Sequence, residues 1–478
     1  MILLAGPPAN RMFRTDAELN QQSFSFIMES NLLLINPWIY DFAAYDFWAK
    51  PLGLLYIANI LRQNGHEVYF IDCLTMNHPG MQKFRKPLRR NFGTGKFCKE
   101  KVPKPNPLKD IPRRYSRYGI TLQVFEEDLR KIPTPDAILI TSLMTYWYPG
   151  VFEAIEIARE FYPETPVILG GIYATLCYDH AKAYSGADYV IQGEGEDKIL
   201  DIVSELTGHT IRYYPDKGNL DSYPYPAFDL FSNIKYICIL TSRGCPYHCS
   251  YCISHKLNPT FIQRDPSKVI DEIEYWVKRL GVKDVAFYDD ALLINAKDHI
   301  IPLLHAVIER KIKVNFHTPN GLHVREISKD VAHLLYKAGF KTIRLGLEAQ
   351  NSKFHEVMDR KVGEGDFAEA VHNLKEAGFE GKDIGVYLLV GLPGQTKDEI
   401  EESIRYVQGF GVVPRLAEYS PLPGTDLWSE AIRTSRFDLE HEPLFHNNSI
   451  FPCQPEEFLT QTVPYLKRLA KISGASSQ

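Results

Sequence analysis

Cysteine is scarce: eight in 478 residues, which is too few for a disulfide scaffold and excludes a small cross-linked secreted fold. No stretch approaches the roughly 18 consecutive apolar residues that a membrane span needs, so no transmembrane segment is expected. One-sided charge is also missing. The 54 basic residues face 59 acidic ones for a formal −5, and a charge-expanded disordered chain is excluded. The apolar start, Met1 to Leu4, is shorter than a signal-peptide core and runs into Gly6, Pro7 and Pro8 with no basic residue before it. Export is therefore not expected, and a cytoplasmic location is. What is present is 45% hydrophobic residues, enough for sizeable cores, over a length that predicts roughly three domains at about 150 residues each.

Apolar runs and amphipathic stretches alternate from residue 31 to 200. Strands are expected at 32–36, 67–72, 137–142, 167–170 and 188–192, with helices at 51–64 and 151–161 between them. The pattern is that of a doubly wound parallel sheet, whose ligands sit beyond the strand C-termini. Those ends carry Asn36-Pro37, Ser142, Gly170-Gly171 and Gly193-Glu194-Gly195-Glu196. The unit spans 1–208 and holds an insertion at 74–120. Residues 81–120 of that insertion contain thirteen basic residues against Glu100 and Asp110, a net +11, with Phe84, Phe92, Phe97, Tyr115 and Tyr118 among them. Two readings stay open: a docking surface for an anionic ligand or lipid headgroup, or a solvated loop that packs through its aromatics. No named nucleic-acid-binding motif accompanies the charge, so nucleic acid is not the expected partner, although the charge alone does not exclude it.

A Pro- and Gly-bearing connector is expected at 209–234. Beyond it, strands at 236–241, 284–288, 314–317, 342–347, 384–390 and about 415–419 alternate with helices, and 235–430 reads as a partial (β/α)6 barrel. Asp265 and Pro266 mark the start of a helix that runs to Leu280. In a last helical piece, 431–478, Phe458, Leu459, Val463, Leu466 and Leu469 share one face.

Directly after the first barrel strand, where parallel barrels assemble active sites, stands Arg243-Gly244-Cys245-Pro246-Tyr247-His248-Cys249-Ser250-Tyr251-Cys252. Three thiolates at spacings of four and three can hold one corner of an iron–sulfur cube and leave the fourth iron open. Two alternatives remain at this level: a helix stripe of buried free cysteines, and a closed zinc site completed by His248 or His255. The other cysteines, Cys73, Cys98, Cys177, Cys238 and Cys453, stand singly and form no second ligand set, as a methylthiotransferase or maturase would need.

The CxxxCxxC motif followed by this barrel resembles the radical S-adenosylmethionine superfamily over residues 235–428. The resemblance implies a 4Fe-4S cluster on Cys245, Cys249 and Cys252 that reductively cleaves S-adenosylmethionine and starts radical chemistry at a substrate C–H bond. It also implies S-adenosylmethionine contacts: Asp289 and Asp290 at the methionyl amine, Glu348 toward the ribose and carboxylate, and Gly391 and Pro393 near the adenine with Tyr251. Pro423-Gly424-Thr425 also fits. The preceding domain resembles the cobalamin-binding domain of one branch of that superfamily, with Asn36, Ser142, Gly170, Gly171 and Gly193 as the implied cobalamin contacts. The loop 38–43 has no histidine where some cobalamin proteins carry DxHxxG, so histidine ligation of cobalt is not expected. The implied activity is cobalamin-dependent methyl transfer, with radical rearrangement or cyclisation as the alternative and a non-enzymatic zinc-stapled binding protein as the rival outside enzymes. The implied partners are a small-molecule or lipid-like substrate and an electron donor such as flavodoxin or ferredoxin. No general-base pair or nucleophilic triad is evident, and no catalytic side chain is assigned.

Overall fold

Leu32, Leu33, Leu34 and Ile35 have no solvent contact, as a strand covered by helices on both faces requires. The computed structural model describes residues 30–471 except 85, 86 and 88; Met1 to Leu4, Arg85, Lys86 and the end of the C-terminal piece lie outside the described residues. The Leu-rich run is β1 (Asn31–Asn36), paired in parallel with β2 (Glu67–Asp72) on one side and β3 (Ala137–Ile140) on the other. β4 (Val167–Leu169) and β5 (Tyr189–Val190) extend the sheet to the order β5-β4-β3-β1-β2. The strand order reverses between β1 and β3, and a crevice opens at such a switch point. Helix α1 (Leu52–Gln63) covers one face through Leu54, Leu55, Ala58 and Leu61. β5 has two residues where five are expected, because it is the sheet edge and the chain turns away at Gly193, φ +78°.

The basic insertion folds against this sheet. Ser116–Tyr118 lies between Ile39–Asp41 and Lys99–Lys101 in a small antiparallel sheet. Phe97, Tyr115 and Tyr118 are buried, and the Arg117 guanidinium pairs with Glu100 at 2.7 Å and Glu153 at 3.2 Å. The packed-loop reading therefore holds for these aromatics; Phe92 is half-buried and Phe84 stays exposed. The connector at 209–234 is fixed as well. Asn64 Oδ1 accepts from the backbone of Arg212 (2.8 Å) and Tyr213 (3.0 Å), and Leu220, Tyr223, Ala227 and Phe228 are buried.

The second sheet takes its strands in sequence order: β6 (Tyr236–Ile239), β7 (Asp284–Phe287), β8 (Asn315–His317), β9 (Phe340–Glu348), β10 (Ile384–Val390) and β11 (Val413–Glu418). Neighbours pair in parallel, while β6 and β11 are not paired among the described residues, so the barrel is partial. Helix α2 (Pro266–Leu280) starts where expected: Asp265 Oδ1 accepts from Ser267 N at 2.7 Å, and Gly281 ends the helix in the left-handed conformation, φ +66°. Helix α3 (Lys397–Gly409) opens with a capping box of Thr396 and Glu399. The C-terminal helix α4 (Val463–Leu469) docks on α3, where Gln408 donates to Leu469 O at 2.8 Å; Phe458, Leu459, Val463, Leu466 and Leu469 are all buried. No helix among the described residues is long and apolar enough to cross a membrane.

His446 ties this C-terminal piece to the first domain through Thr145 Oγ1 (3.1 Å), while its other ring nitrogen bonds Leu439 O (2.8 Å) within the piece. Burial pushes its pKa from 6.5 down to about 4. The folded imidazole stays neutral while the unfolded one takes a proton below pH 6.5, so this contribution is full above pH 6.5 and is lost as pH falls toward 4. We expect His446→Gln to flatten the fall of stability between those limits by up to about 1.4 kcal/mol per pH unit, measured by chemical denaturation at stepped pH.

Candidate functional site: the cysteine loop and the interdomain crevice

The loop after β6 owes its path to Gly244 (φ +83°), where a Cβ would lie 2.8 Å from Thr260 O. Further along, Ser250 N donates to Met358 O (2.8 Å), Ser250 O accepts from Leu427 N (3.0 Å), and Cys252 N donates to Cys249 O (3.0 Å). Segments following β9 and β11 thus clamp the cysteine loop through its main chain, and Ser250 Oγ adds a contact to Met358 Sδ (3.1 Å). Gly424 lies against Ile253 in the same packing.

Cys249 is buried and Cys245 and Cys252 are half-buried. Burial pushes their thiols up, to about 11 for Cys245 and about 12 for Cys249. Such thiols ionise when a metal centre supplies the compensating charge. Among the described residues no three or more His, Cys, Asp or Glu side chains converge on a single-ion geometry. Three thiols in one loop are the donor set that an iron–sulfur cube takes when its fourth iron is left open. His248 and His255 pack on each other, ring centroids 5.2 Å apart.

The two aspartates after β7 have separate surroundings. Asp289 Oδ1 accepts from Thr241 N (2.9 Å), Thr241 Oγ1 (2.8 Å) and Ser242 Oγ (2.6 Å), which ties the end of β6 to the end of β7. Burial lifts its carboxyl to about 6 despite these donors, and Oδ2 has no hydrogen-bond partner among the described residues. Asp290 accepts from the Ser254 hydroxyl and borders the interdomain cavity. Glu348 ends β9 with φ +68° and pairs with Lys361 at 2.8 Å. Lys361 is almost completely enclosed; burial opposes its charge, and Glu348 with the Cys249 sulfur favours it more, so its pKa is raised. Its ammonium also lies 5.8 Å over the Tyr251 ring. Tyr251 stacks on Phe354 (6.4 Å), with its hydroxyl 3.4 Å from Asp359 Oδ2. Sequence reasoning missed Lys361 and Asp359. Asp359-Arg360-Lys361 reads as a charged surface run, and no spacing rule links it to the cysteines.

Gly391 has φ +92°, and a Cβ there would lie 2.7 Å from the Phe451 ring; the space its missing side chain leaves is taken by that ring. Pro393 borders a separate 150 Å³ cavity with Phe354 and Met358.

The crevice at the C-terminal end of the first sheet is a 390 Å³ cavity between the two domains. Gly170, Gly171 and Gly193 line one wall, and Ser242, Gly244 and Asp290 line the other. A Cβ on Gly170 or Gly193 would meet nothing within 4 Å, so both glycines face open space at the strand ends. Asn36 and Ser142 do not line it. Asn36 Nδ2 donates to Asp72 Oδ1 (2.7 Å), and Ser142 Oγ donates to Met144 O (2.9 Å). Thr141 stands there instead.

Residues 239–407 match the Radical SAM superfamily, and residues 120–203 match the B12 binding domain. An uncharacterized methyltransferase of Pyrococcus horikoshii is 24% identical over 62% of this chain and 70% of its own length. An anaerobic magnesium-protoporphyrin IX monomethyl ester cyclase of Cereibacter sphaeroides is 28% identical over 64% of this chain and 54% of its own length. Among solved structures, the radical S-adenosylmethionine methyltransferase TsrM from Kitasatospora setae, with cobalamin and a 4Fe-4S cluster bound, superposes with a TM-score of 0.62 at 15% identity, over 85% of this chain and 76% of that one.

Proposed function

Because this chain belongs to the radical S-adenosylmethionine superfamily, in the branch with an N-terminal cobalamin-binding domain, we propose that it transfers a methyl group to a carbon of a small-molecule substrate. One observation carries this reading. A single cavity is walled by the strand-end glycines of the first domain and by Ser242, Gly244 and Asp290 beside the cysteine loop, which supports two cofactors meeting in one space. When bound, the cluster supplies an electron to S-adenosylmethionine and cobalamin supplies a transferable methyl group.

The residues then have distinct tasks. Cys245, Cys249 and Cys252 hold the cluster. Asp290, at the cavity wall, is placed for the cofactor's amine, and Asp289 positions the β6 end rather than touching the ligand. Glu348 and its partner Lys361 fix the polar end of the site under Tyr251, and Gly391 and Pro393 shape the adenine side. Gly170, Gly171 and Gly193 floor the cobalamin crevice, while Asn36 and Ser142 act behind it. Domain limits at 1–208, 209–234, 235–430 and 431–478 enclose both family matches without cutting either. Eight cysteines with no disulfide among the described residues suit a reducing cytoplasm, with flavodoxin or ferredoxin as electron donor.

The test is an anaerobic assay of the reconstituted full chain with methyl-deuterated S-adenosylmethionine, cobalamin and a small-molecule extract. Expected products are 5′-deoxyadenosine, S-adenosylhomocysteine and a trideuteromethylated compound. The nucleoside without label transfer would replace methylation by rearrangement or cyclisation. A colourless zinc-bearing protein making none of these would overturn the assignment.

A further inference from the structure

A 1310 Å³ cavity lies beside β9, β10 and β11 and the turns that lead into β10 and β11. One wall is apolar and aromatic. Trp48 and Phe47 enter from the first domain, held by Cys238 Sγ to Trp48 O (2.8 Å) and by Tyr288 OH to Phe47 O (3.2 Å), and Phe92 comes from the insertion. The opposite wall carries Arg344, Tyr387 and Arg415 on three consecutive strands, β9, β10 and β11, with Tyr387 directly opposite Arg415.

Arg344 is only 7% exposed, yet its guanidinium meets a backbone carbonyl, Ile343 O at 2.9 Å, and the Phe47 ring at 5.7 Å, with no carboxylate in ion-pair range among the described residues. Gly385 makes room for it, since a Cβ there would lie 2.9 Å from Arg344 Nη1. Arg415, open to the cavity, also lacks a carboxylate partner among the described residues. The acid on this wall, Glu418, is already paired with Lys467 at 2.6 Å. Arg344 is in register with Gly385 and Val413, so Arg415 stands two strands across and two residues farther along, with the Tyr387 phenol between the two guanidiniums and no acid there among the described residues. Retaining a buried cation without a counter-charge is costly unless a ligand provides one.

We propose that Arg344 and Arg415, on either side of Tyr387, whose hydroxyl is held by Pro319 O (2.7 Å), form a subsite for an oxyanion of the substrate, a carboxylate or a phosphate, whose flat apolar body lies against Trp48, Phe47 and Phe92. The subsite rests on the reading above that the barrel encloses the reaction. Two residues farther along the same strand face is Gly346, roughly 6.6 Å on, where a Cβ would lie 3.5 Å from Lys361 Nζ. The Arg344 end of the subsite thus lies one layer below the Glu348–Lys361 pair. Guanidinium forks match either oxyanion in a bidentate manner, which lysine does not.

The test titrates the full-length protein with 1-naphthoate, 1-naphthyl phosphate and neutral 1-naphthalenemethanol, followed by calorimetry. Expected is at least tenfold tighter binding of one anion than of the alcohol, and the better anion identifies carboxylate or phosphate as the native group. Arg415→Gln and Arg344→Lys should each lose that preference by tenfold or more with circular dichroism unchanged; because Arg415 is open to the cavity, its variant is not expected to disturb folding. Equal binding of all three probes, or an Arg415→Gln variant that keeps the preference, would overturn the subsite. The two readings fail separately. Wild-type protein that prefers the anion but makes no 5′-deoxyadenosine refutes the proposed reaction, whereas protein that makes the nucleoside without any anion preference refutes the subsite.

Discussion

Cys249→Ala is expected to bring 5′-deoxyadenosine formation to background, a loss of about a thousandfold or more, equivalent to about 4 kcal/mol of barrier, while corrinoid still co-purifies. Cys249 is the most enclosed of the three thiols, at 7% exposure, and no backbone hydrogen bond of the loop depends on its sulfur. The loop is held by Ser250 N to Met358 O and by Leu427 N to Ser250 O, both main-chain bonds that alanine leaves in place. The variant should therefore fold, lose iron and sulfide, and lose the brown colour of the anaerobic protein, with the strand-end glycines Gly170, Gly171 and Gly193 of the first-domain crevice untouched. Iron, sulfide and corrinoid measured on one preparation check this. Nucleoside formation retained by the variant would remove Cys249 from the cluster.

Gly170→Phe is the converse. The Gly170 φ lies outside the left-handed region, and a Cβ there meets nothing within 4 Å, so the backbone accepts a side chain and the Gly170 N to Ile140 O bond (2.9 Å) survives. A phenyl ring would then occupy part of the 390 Å³ cavity that the two domains share. Corrinoid content should fall about tenfold or more, at least about 1.4 kcal/mol of binding, with iron content and thermal stability unchanged. The neighbouring Gly171 is unsuitable for this purpose. It has φ +92°, and a Cβ would press within 2.6 Å of Ser142 O, so substitution there would damage the strand end itself. Undiminished corrinoid in Gly170→Phe would place the cofactor elsewhere.

The strands of both sheets were legible because a strand covered on both faces needs a continuous apolar run: residues 67–72 and 384–390 match the expected bounds, and most of the others shift by one or two residues. The cysteine loop was legible for a different reason, since ligand spacing within ten residues is a local property of the chain. Lys361 was not legible, because it reaches the site only after the segment following β9 folds back so that Met358 O meets Ser250 N. Asp289 and Asp290 are adjacent in sequence, yet one binds the β6 end and the other borders the cavity, a division set by strand pairing. Asn36 and Ser142 have the residue types of a ligand site and lie at the expected strand ends, but their side chains turn to Asp72 and Met144.

By itself the sequence determined the two α/β units, their order, and the trio of thiols after the first barrel strand, because periodicity, caps and ligand spacing act over a few residues. Only the tertiary structure decided that the crevice of one domain opens onto the cysteine loop of the other, and that Arg344 and Arg415 face a shared cavity without an acid beside them. Both depend on which surfaces meet across a long contour of chain, and no local pattern encodes where a charge fails to find its partner.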